Sequence, residues 1–261
     1  MPGEPGTVAE VLRHQAQLRA DHPLLVCDDH RLSYGEAYRR SAELARELIA
    51  LGAGKGTHVG LLYPNGPDFV LGMLAAARIG AVVVPFSTFA TTREQREQLV
   101  HGDVSILLSA ASFRSHDYVH RLTQILGNVA FDGDEPLFCT AVPLLRHIVI
   151  GSALSDHADT VDPALLRAME DDVDGSDVLA IVYTSGSTSV PKGVVHTHAA
   201  LLGHQRNLNA IRGLSAEDKL FCNSPFFWIG GLAFGLLATL VAGSTLLCSN
   251  ASDAGVVLDL I

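Results

Sequence analysis

"HVGLLYPNGPDFVLGMLAAARIGAVVVPFS", residues 58–87, decides the fold. Two short apolar runs, "HVGLLYP" (58–64) and "AVVVPFS" (81–87), flank a longer one, "PDFVLGMLAAARIG" (67–80). The outer runs have the length and continuous apolar character of buried strands, the second with three consecutive valines. The middle one has helix length, with Pro67 where a first turn tolerates the missing N–H. Strand, helix, strand in that order is a βαβ unit, which is right-handed and builds a parallel sheet.

The same alternation runs outward in both directions. Upstream, "TVAEVLRHQAQLRA" (7–20) sets Val8, Val11, Leu12 and Leu18 near one helical face, with Thr7 as cap. "LLVCDDHRLSY" (24–34) reads as two short strands about an Asp-Asp-His turn. Ser33 and Glu36 have capping-box spacing ahead of the helix 35–51, which Gly52 closes in a left-handed conformation. Downstream come helix 92–102, strand 104–110, helix 117–127 and strand 146–151, while "FDGDEP" (131–136) and "EDDVDGSD" (170–177) lack apolar periodicity and read as surface loops. The fold class is therefore α/β, with mostly parallel sheet layered between helices.

Of 261 residues 48% are apolar and 18% charged, enough to bury one large core or two smaller ones. The net charge is −10, with no clustering of Lys and Arg, which argues against nucleic acid as a partner. Four cysteines with no CxxC pair suggest neither a zinc ribbon nor a disulfide framework, and the N-terminus lacks a secretory pattern, so a reducing cytoplasmic location is expected. "FFWIGGLAFGLLATLVAGSTLLC" (226–248) is uncharged over nearly the length of a membrane span. Four glycines interrupt it and no basic residue borders it closely, so a buried helix ending near Gly243, followed by a strand, is the expected form. The chain stops within the apolar "DAGVVLDLI" (253–261), which reads as a cut element.

The chemistry concentrates in "YTSGSTSVPKG" (183–193). It succeeds the continuous apolar run "DVLAIVY", so the loop leaves the carboxyl end of a buried strand, where open α/β sheets place their ligands. Gly186 lets the backbone approach a ligand, and Thr184, Ser185, Ser187, Thr188 and Ser189 supply the donors that polyphosphate oxygens require. The chain has 15 Arg and only three Lys, so Lys192 beside this loop marks a place for a compact, mobile ammonium. Gly186 and Lys192 have P-loop spacing, but Pro191 and Gly193 replace that template's second glycine and magnesium-binding hydroxyl, and the β-branched "GVVHTH" points to a following strand. Ser189 and Lys192 also satisfy S-x-x-K, the mark of a Ser-Lys hydrolase, although that pattern requires a helix start. A solvated Ser/Gly turn, in a non-catalytic module binding a hydrophobic ligand or partner, is the remaining alternative.

The stretch 183–193 resembles the phosphate-loop signature of the adenylate-forming superfamily, which includes acyl-CoA synthetases, luciferases and peptide-synthetase adenylation domains. Ser187 and Ser189 depart from its common form. Residues 58–91 are similar to the family's earlier segment, "GVVHTHAALL" (193–202) to its continuation, and "SPFFWIGGL" (224–232) to its acyl-pocket motif. The resemblance implies a layered α/β N-terminal portion of the large adenylate-forming domain over residues 1–261, with the small C-terminal domain absent and the piece itself inactive. It implies ATP, Mg2+ and coenzyme A as cofactors, and an acid:CoA ligase activity that forms an acyl adenylate, releases pyrophosphate and then makes a thioester. By the same resemblance Thr184, Ser185, Gly186, Ser187, Thr188 and Lys192 hold the β- and γ-phosphates, with Lys192 catalytic. Phe227, Trp228, Gly230 and Gly231 form the acyl pocket, Trp228 standing where relatives often carry histidine and the glycines leaving space behind it.

No aspartate accompanies "PFFWIGGL" to hold a substrate ammonium, which favours a fatty or other hydrophobic acid over an amino acid. His196 and His198 lack a third ligand nearby, so no metal site is assigned, and His198 is given no chemistry. A stable membrane span is not expected, and self-association is left open.

Overall fold

The computed structural model describes residues 5–127, 129–131, 135–151, 156–184 and 192–258. Helix α1 (Val8–Arg19) precedes β1 (Pro23–Cys27), β2 (His30–Ser33) and α2 (Tyr34–Ala50), and the central unit is β3 (His58–Leu62), α3 (Pro67–Arg78) and β4 (Val82–Pro85). Next come α4 (Thr92–His101), β5 (Ile106–Ser109), the small hairpin β6 (Ser112–Phe113) and β7 (His116–Asp117), α5 (Tyr118–Leu126) and β8 (His147–Ile150). A 3-10 turn (Asp156–Thr160), α6 (Pro163–Asp172), β9 (Val178–Thr184), β10 (Lys192–Thr197), α7 (His198–Arg212) and β11 (Lys219–Phe221) come after it. A π-helical stretch (Gly230–Leu237) then runs into α8 (Ala238–Ala242), β12 (Thr245–Cys248) and α9 (Ala254–Leu258).

The strands form a six-stranded sheet, β10-β9-β4-β3-β5-β8, and a four-stranded sheet, β11-β12-β1-β2. Only β10 in the larger sheet and β2 in the smaller run antiparallel to their neighbours. This is the layered, mostly parallel α/β architecture that the alternating runs predict. Pleating divides the larger sheet's side chains between two cores. Val59, Leu61, Val83, Ile106 and Leu108 join the core containing α1, α2 and α3. Leu62, Val84 and Leu107 pack on the opposite face with Leu99 of α4 and Leu122 of α5.

The local signals act as read. Thr7 and Ser33 both make capping boxes, with Glu10 and Glu36, and Pro67 occupies the first turn of α3. Gly52 and Gly243 take positive φ, 84° and 76°, where the carbonyls of α2 and α8 run out. The uncharged run 226–248 is divided between π-helix, α8, the Gly243 turn and β12, and among the described residues no helix is long and apolar enough to cross a membrane.

Two expectations are corrected. Val8, Val11 and Leu12 are buried but Leu18 is 62% exposed. Polar residues take its place near the centre of the stripe: Gln15 donates to the Val241 carbonyl (3.2 Å) and Arg19 to that of Gly243 (3.3 Å), satisfying oxygens at the end of α8. The acidic stretch 170–177 is not wholly loop, because Glu170, Asp171 and Asp172 finish α6. Glu170 is buried, accepting from Arg78 Nε (2.5 Å) and Arg13 Nη2 (2.7 Å), while Arg78, itself buried at the end of the largely apolar α3, also donates to the Tyr38 carbonyl (2.6 Å) and Ser41 Oγ (2.8 Å). Four helices thus meet at a charge cluster whose buried members are all paired. "FDGDEP" lies partly outside the described residues.

Candidate active site

The site is built from loops that leave the carboxyl ends of parallel strands. Strand β9 lies beside β4, with Val83 paired to Ala180, and its apolar residues Leu179, Ala180 and Val182 are buried. Strand β10 returns antiparallel, so Lys192 pairs with Thr184 and Gly193 with Tyr183, and Thr184 Oγ1 donates to the Lys192 carbonyl (3.5 Å). The strands on either side of the hydroxyl-rich stretch are therefore zipped together as a hairpin up to Thr184 and Lys192. Ser185, Gly186, Ser187 and Thr188 lie outside the described residues, as does Ser189.

Among the described residues, Lys192 makes no ion pair and is exposed, whereas Lys55 is bound to Asp172 (3.3 Å) and Asp177 (2.9 Å). The base of the hairpin is anchored by Tyr183, whose hydroxyl lies 2.8 Å from His101 Nδ1 at the end of α4. Burial raises the Tyr183 phenol, which stays protonated at neutral pH. Strand rather than helix after Lys192 removes the context that the P-loop and S-x-x-K templates need.

A cavity of about 100 Å³ opens on the same edge of the sheets. Its walls include Asn65 after β3, Phe89 after β4, Arg114 in the β6–β7 turn, Phe227 after β11 and Asn250 after β12, so both sheets contribute. Phe227 is buried and meets Phe89 edge-on at 5.9 Å and Trp228 at 5.4 Å. Trp228 is 53% exposed, which excludes a plain core role. Gly230 and Gly231 do not leave open space behind it. A Cβ on Gly231 would stand 2.2 Å from the Pro225 carbonyl oxygen and one on Gly230 2.9 Å from Ser224 Oγ, so these glycines let the π-helix press directly on the preceding turn.

Sequence reasoning missed the polar clasp beside this cavity. The Asn65 side chain donates to the Ser224 carbonyl (3.0 Å) and accepts from the Phe226 N–H (2.8 Å), while Asn250 Nδ2 donates to the Asn65 carbonyl (2.7 Å). The only sequence signal was "PNGP", which reads as ordinary turn chemistry.

The two histidines part company in the structure. His196 pairs with Ala180 on β10, whereas His198 is the first residue of α7, completely buried, with Nδ1 accepting the Val8 N–H (3.2 Å). Burial pushes His198 down to about 4, so it is neutral and ties α7 to the start of α1. Among the described residues no three His, Cys, Asp or Glu side chains gather as metal ligands. The four cysteines are free thiols; Cys27 and Cys248, distant in sequence, are paired neighbours on β1 and β12. A hydrogen bond to Cys27 and then burial push the Cys248 thiol far up, so it is not a poised nucleophile.

The AMP-binding enzyme family matches residues 12–261. The chain belongs to that family. Among curated AMP-binding relatives, 4-coumarate–CoA ligase 3 of Arabidopsis thaliana is 29% identical over 253 residues, covering 93% of this chain and 42% of the relative. Acetyl-coenzyme A synthetase of Xylella fastidiosa is 28% identical over 261 residues, covering 94% and 40%. The chain therefore spans less than half the length of these relatives. The inhibitor-bound N-terminal domain of FACL13 from Mycobacterium tuberculosis superposes with a TM-score of 0.82 at 25% identity, over 98% of this chain and 60% of that one.

Proposed function

We propose that this chain is the N-terminal part of the large domain of an ATP-dependent acid:CoA ligase, and that its hairpin holds the phosphate tail of ATP. One observation carries the reading: an exposed lysine is fixed opposite Thr184 at the carboxyl edge of the parallel sheet, with a sequence rich in hydroxyl residues between the two, in a member of the AMP-binding enzyme family. Relatives named as a CoA ligase and a coenzyme A synthetase support the ligase chemistry.

In this reading Lys192 and the 184–188 donors neutralise charge that grows on pyrophosphate as it leaves. The substrate carboxylate attacks the α-phosphorus, so no side-chain nucleophile is needed. Mg2+ fits a polyphosphate held this way and would supply further charge neutralisation when bound. The coenzyme A thiol then attacks the acyl carbon, the acyl–phosphate bond breaks, and AMP leaves as the thioester forms. The aromatic pair Phe227 and Trp228, in the stretch 225–232 that contains no Asp or Glu, favours a hydrophobic acid. The enzyme so read works in the cytoplasm, where ATP and CoA are available.

The deciding experiment is ATP–pyrophosphate exchange driven by a panel of aliphatic and aromatic acids, run on the protein that carries this chain. Exchange should appear with hydrophobic acids, and Lys192→Ala should lower it about 100-fold, the usual scale for one lost charge-stabilising donor. Undiminished exchange in that variant would refute the assignment of the hairpin.

A further inference from the structure

The wall of the cavity is held by a side chain that lies in neither the hairpin nor the acyl-pocket motif. Asn65 stands just beyond β3 and is only 8% exposed. Its amide spans two backbone groups of one turn, donating to the Ser224 carbonyl and accepting from the Phe226 N–H. An asparagine amide has both a donor and an acceptor, so it replaces the two hydrogen bonds that a neighbouring strand would make. Phe226 is itself buried, which leaves its N–H no water to turn to.

The opposite side of that turn is also gripped. The Pro225 carbonyl accepts from the Trp228 N–H (3.1 Å) and faces Gly231 at a separation that admits no side chain. Asn65 is in turn held from the smaller sheet, because Asn250 Nδ2 reaches its carbonyl while the Asn250 N–H donates to Asp28 Oδ2 (3.0 Å). The next residue along the turn, Phe227, lines the cavity, and Trp228 packs on its edge.

We propose that Asn65 is a positioning residue that fixes the Ser224–Phe227 turn as the acyl-binding wall, so that Phe227 is presented to the substrate in one place. The acyl part rests on the ligase reading above. The mechanical part does not: without the amide, the buried Phe226 N–H and the half-buried Ser224 carbonyl lose their partner and the Phe227–Trp228 pair is released.

Trp228 is the sole tryptophan, so its fluorescence reports this turn alone. The 261-residue chain, wild type and Asn65→Ala, is compared by acrylamide quenching without ligand and by titration with dodecanoic acid, with Leu108→Ala as a control for general loss of core packing. Asn65→Ala should raise the quenching constant and weaken dodecanoate binding about tenfold or more, the scale of one or two lost hydrogen bonds. Leu108→Ala should lower the melting temperature and leave quenching unchanged. Wild-type quenching and affinity in Asn65→Ala would overturn the proposal. Should wild type ignore dodecanoate while quenching still separates the variants, the acyl part falls and the positioning role stands. If Asn65→Ala does not fold, the isosteric Asn65→Asp reads the same quantities. Its carboxylate keeps the acceptor for Phe226 but repels the Ser224 carbonyl, and wild-type behaviour there would equally overturn the proposal.

Discussion

Acidification should destabilise this chain through His198, and the effect can be isolated in one variant. The ring is completely buried, its Nδ1 accepts the Val8 N–H, and its Nε2 has no hydrogen-bond partner among the described residues. Protonating Nδ1 in the fold would set a donor against a donor, and burial already holds the group at about 4 instead of 6.5. The unfolded chain therefore takes up the proton first. Stability is fully present above pH 6.5, falls as pH drops from there toward 4, and levels off below. A gap from 6.5 to about 4 corresponds to about 3 kcal/mol at ~1.4 kcal/mol per decade. Urea unfolding followed by circular dichroism at pH 7.5, 6.5, 5.5 and 4.5 would compare wild type with His198→Gln. The variant should be less stable at pH 7.5, and its deficit should shrink by most of that ~3 kcal/mol at pH 4.5. Burial also depresses His196, but that residue is present in both proteins and cancels in the difference. A deficit constant across the four pH values would refute the reasoning.

Two further outcomes concern packing. Glu170→Ala leaves Arg78 buried without its carboxylate and should cost about 3–5 kcal/mol, seen as a large drop in melting temperature. Arg13→Ala, whose side chain is 35% exposed, should cost about 1 kcal/mol or less. Gly231→Ala forces a methyl against the Pro225 carbonyl and should cost about 1–3 kcal/mol while shifting Trp228 emission, whereas an unchanged spectrum and melt would show that the turn has slack.

The fold was legible because its punctuation is local. Thr7, Ser33, Pro67, Gly52 and Gly243 each mark a boundary within one or two residues, and the strands are apolar on both faces because helices cover the larger sheet on both sides. The features that escaped depend on partners remote in sequence. Glu170 looked like part of an acidic loop because its arginines lie 92 and 157 residues away. Leu18 was misplaced because Gln15 and Arg19 serve carbonyls of a helix more than 220 residues downstream. The site divided in the same way. Thr184 and Lys192 follow from a strand and a motif, and the structure sets them opposite each other. The glycines after Trp228 were read as vacancies, since a sequence shows that a side chain is missing but not what occupies its place. Asn65 carries no signal beyond a turn, because its meaning lies in a segment 159 and 161 residues on.

The cavity is walled by the ends of two sheets that share no strand. Its shape is therefore an alignment between two plates, set by the helices packed between them. A substitution deep in that layer, far from any substrate, could retune the pocket by sliding one plate a fraction of an ångström against the other. On the ligase reading proposed above, laboratory evolution for new acids should accordingly recover changes in α1, α2 and α3 as well as in the residues that line the cavity.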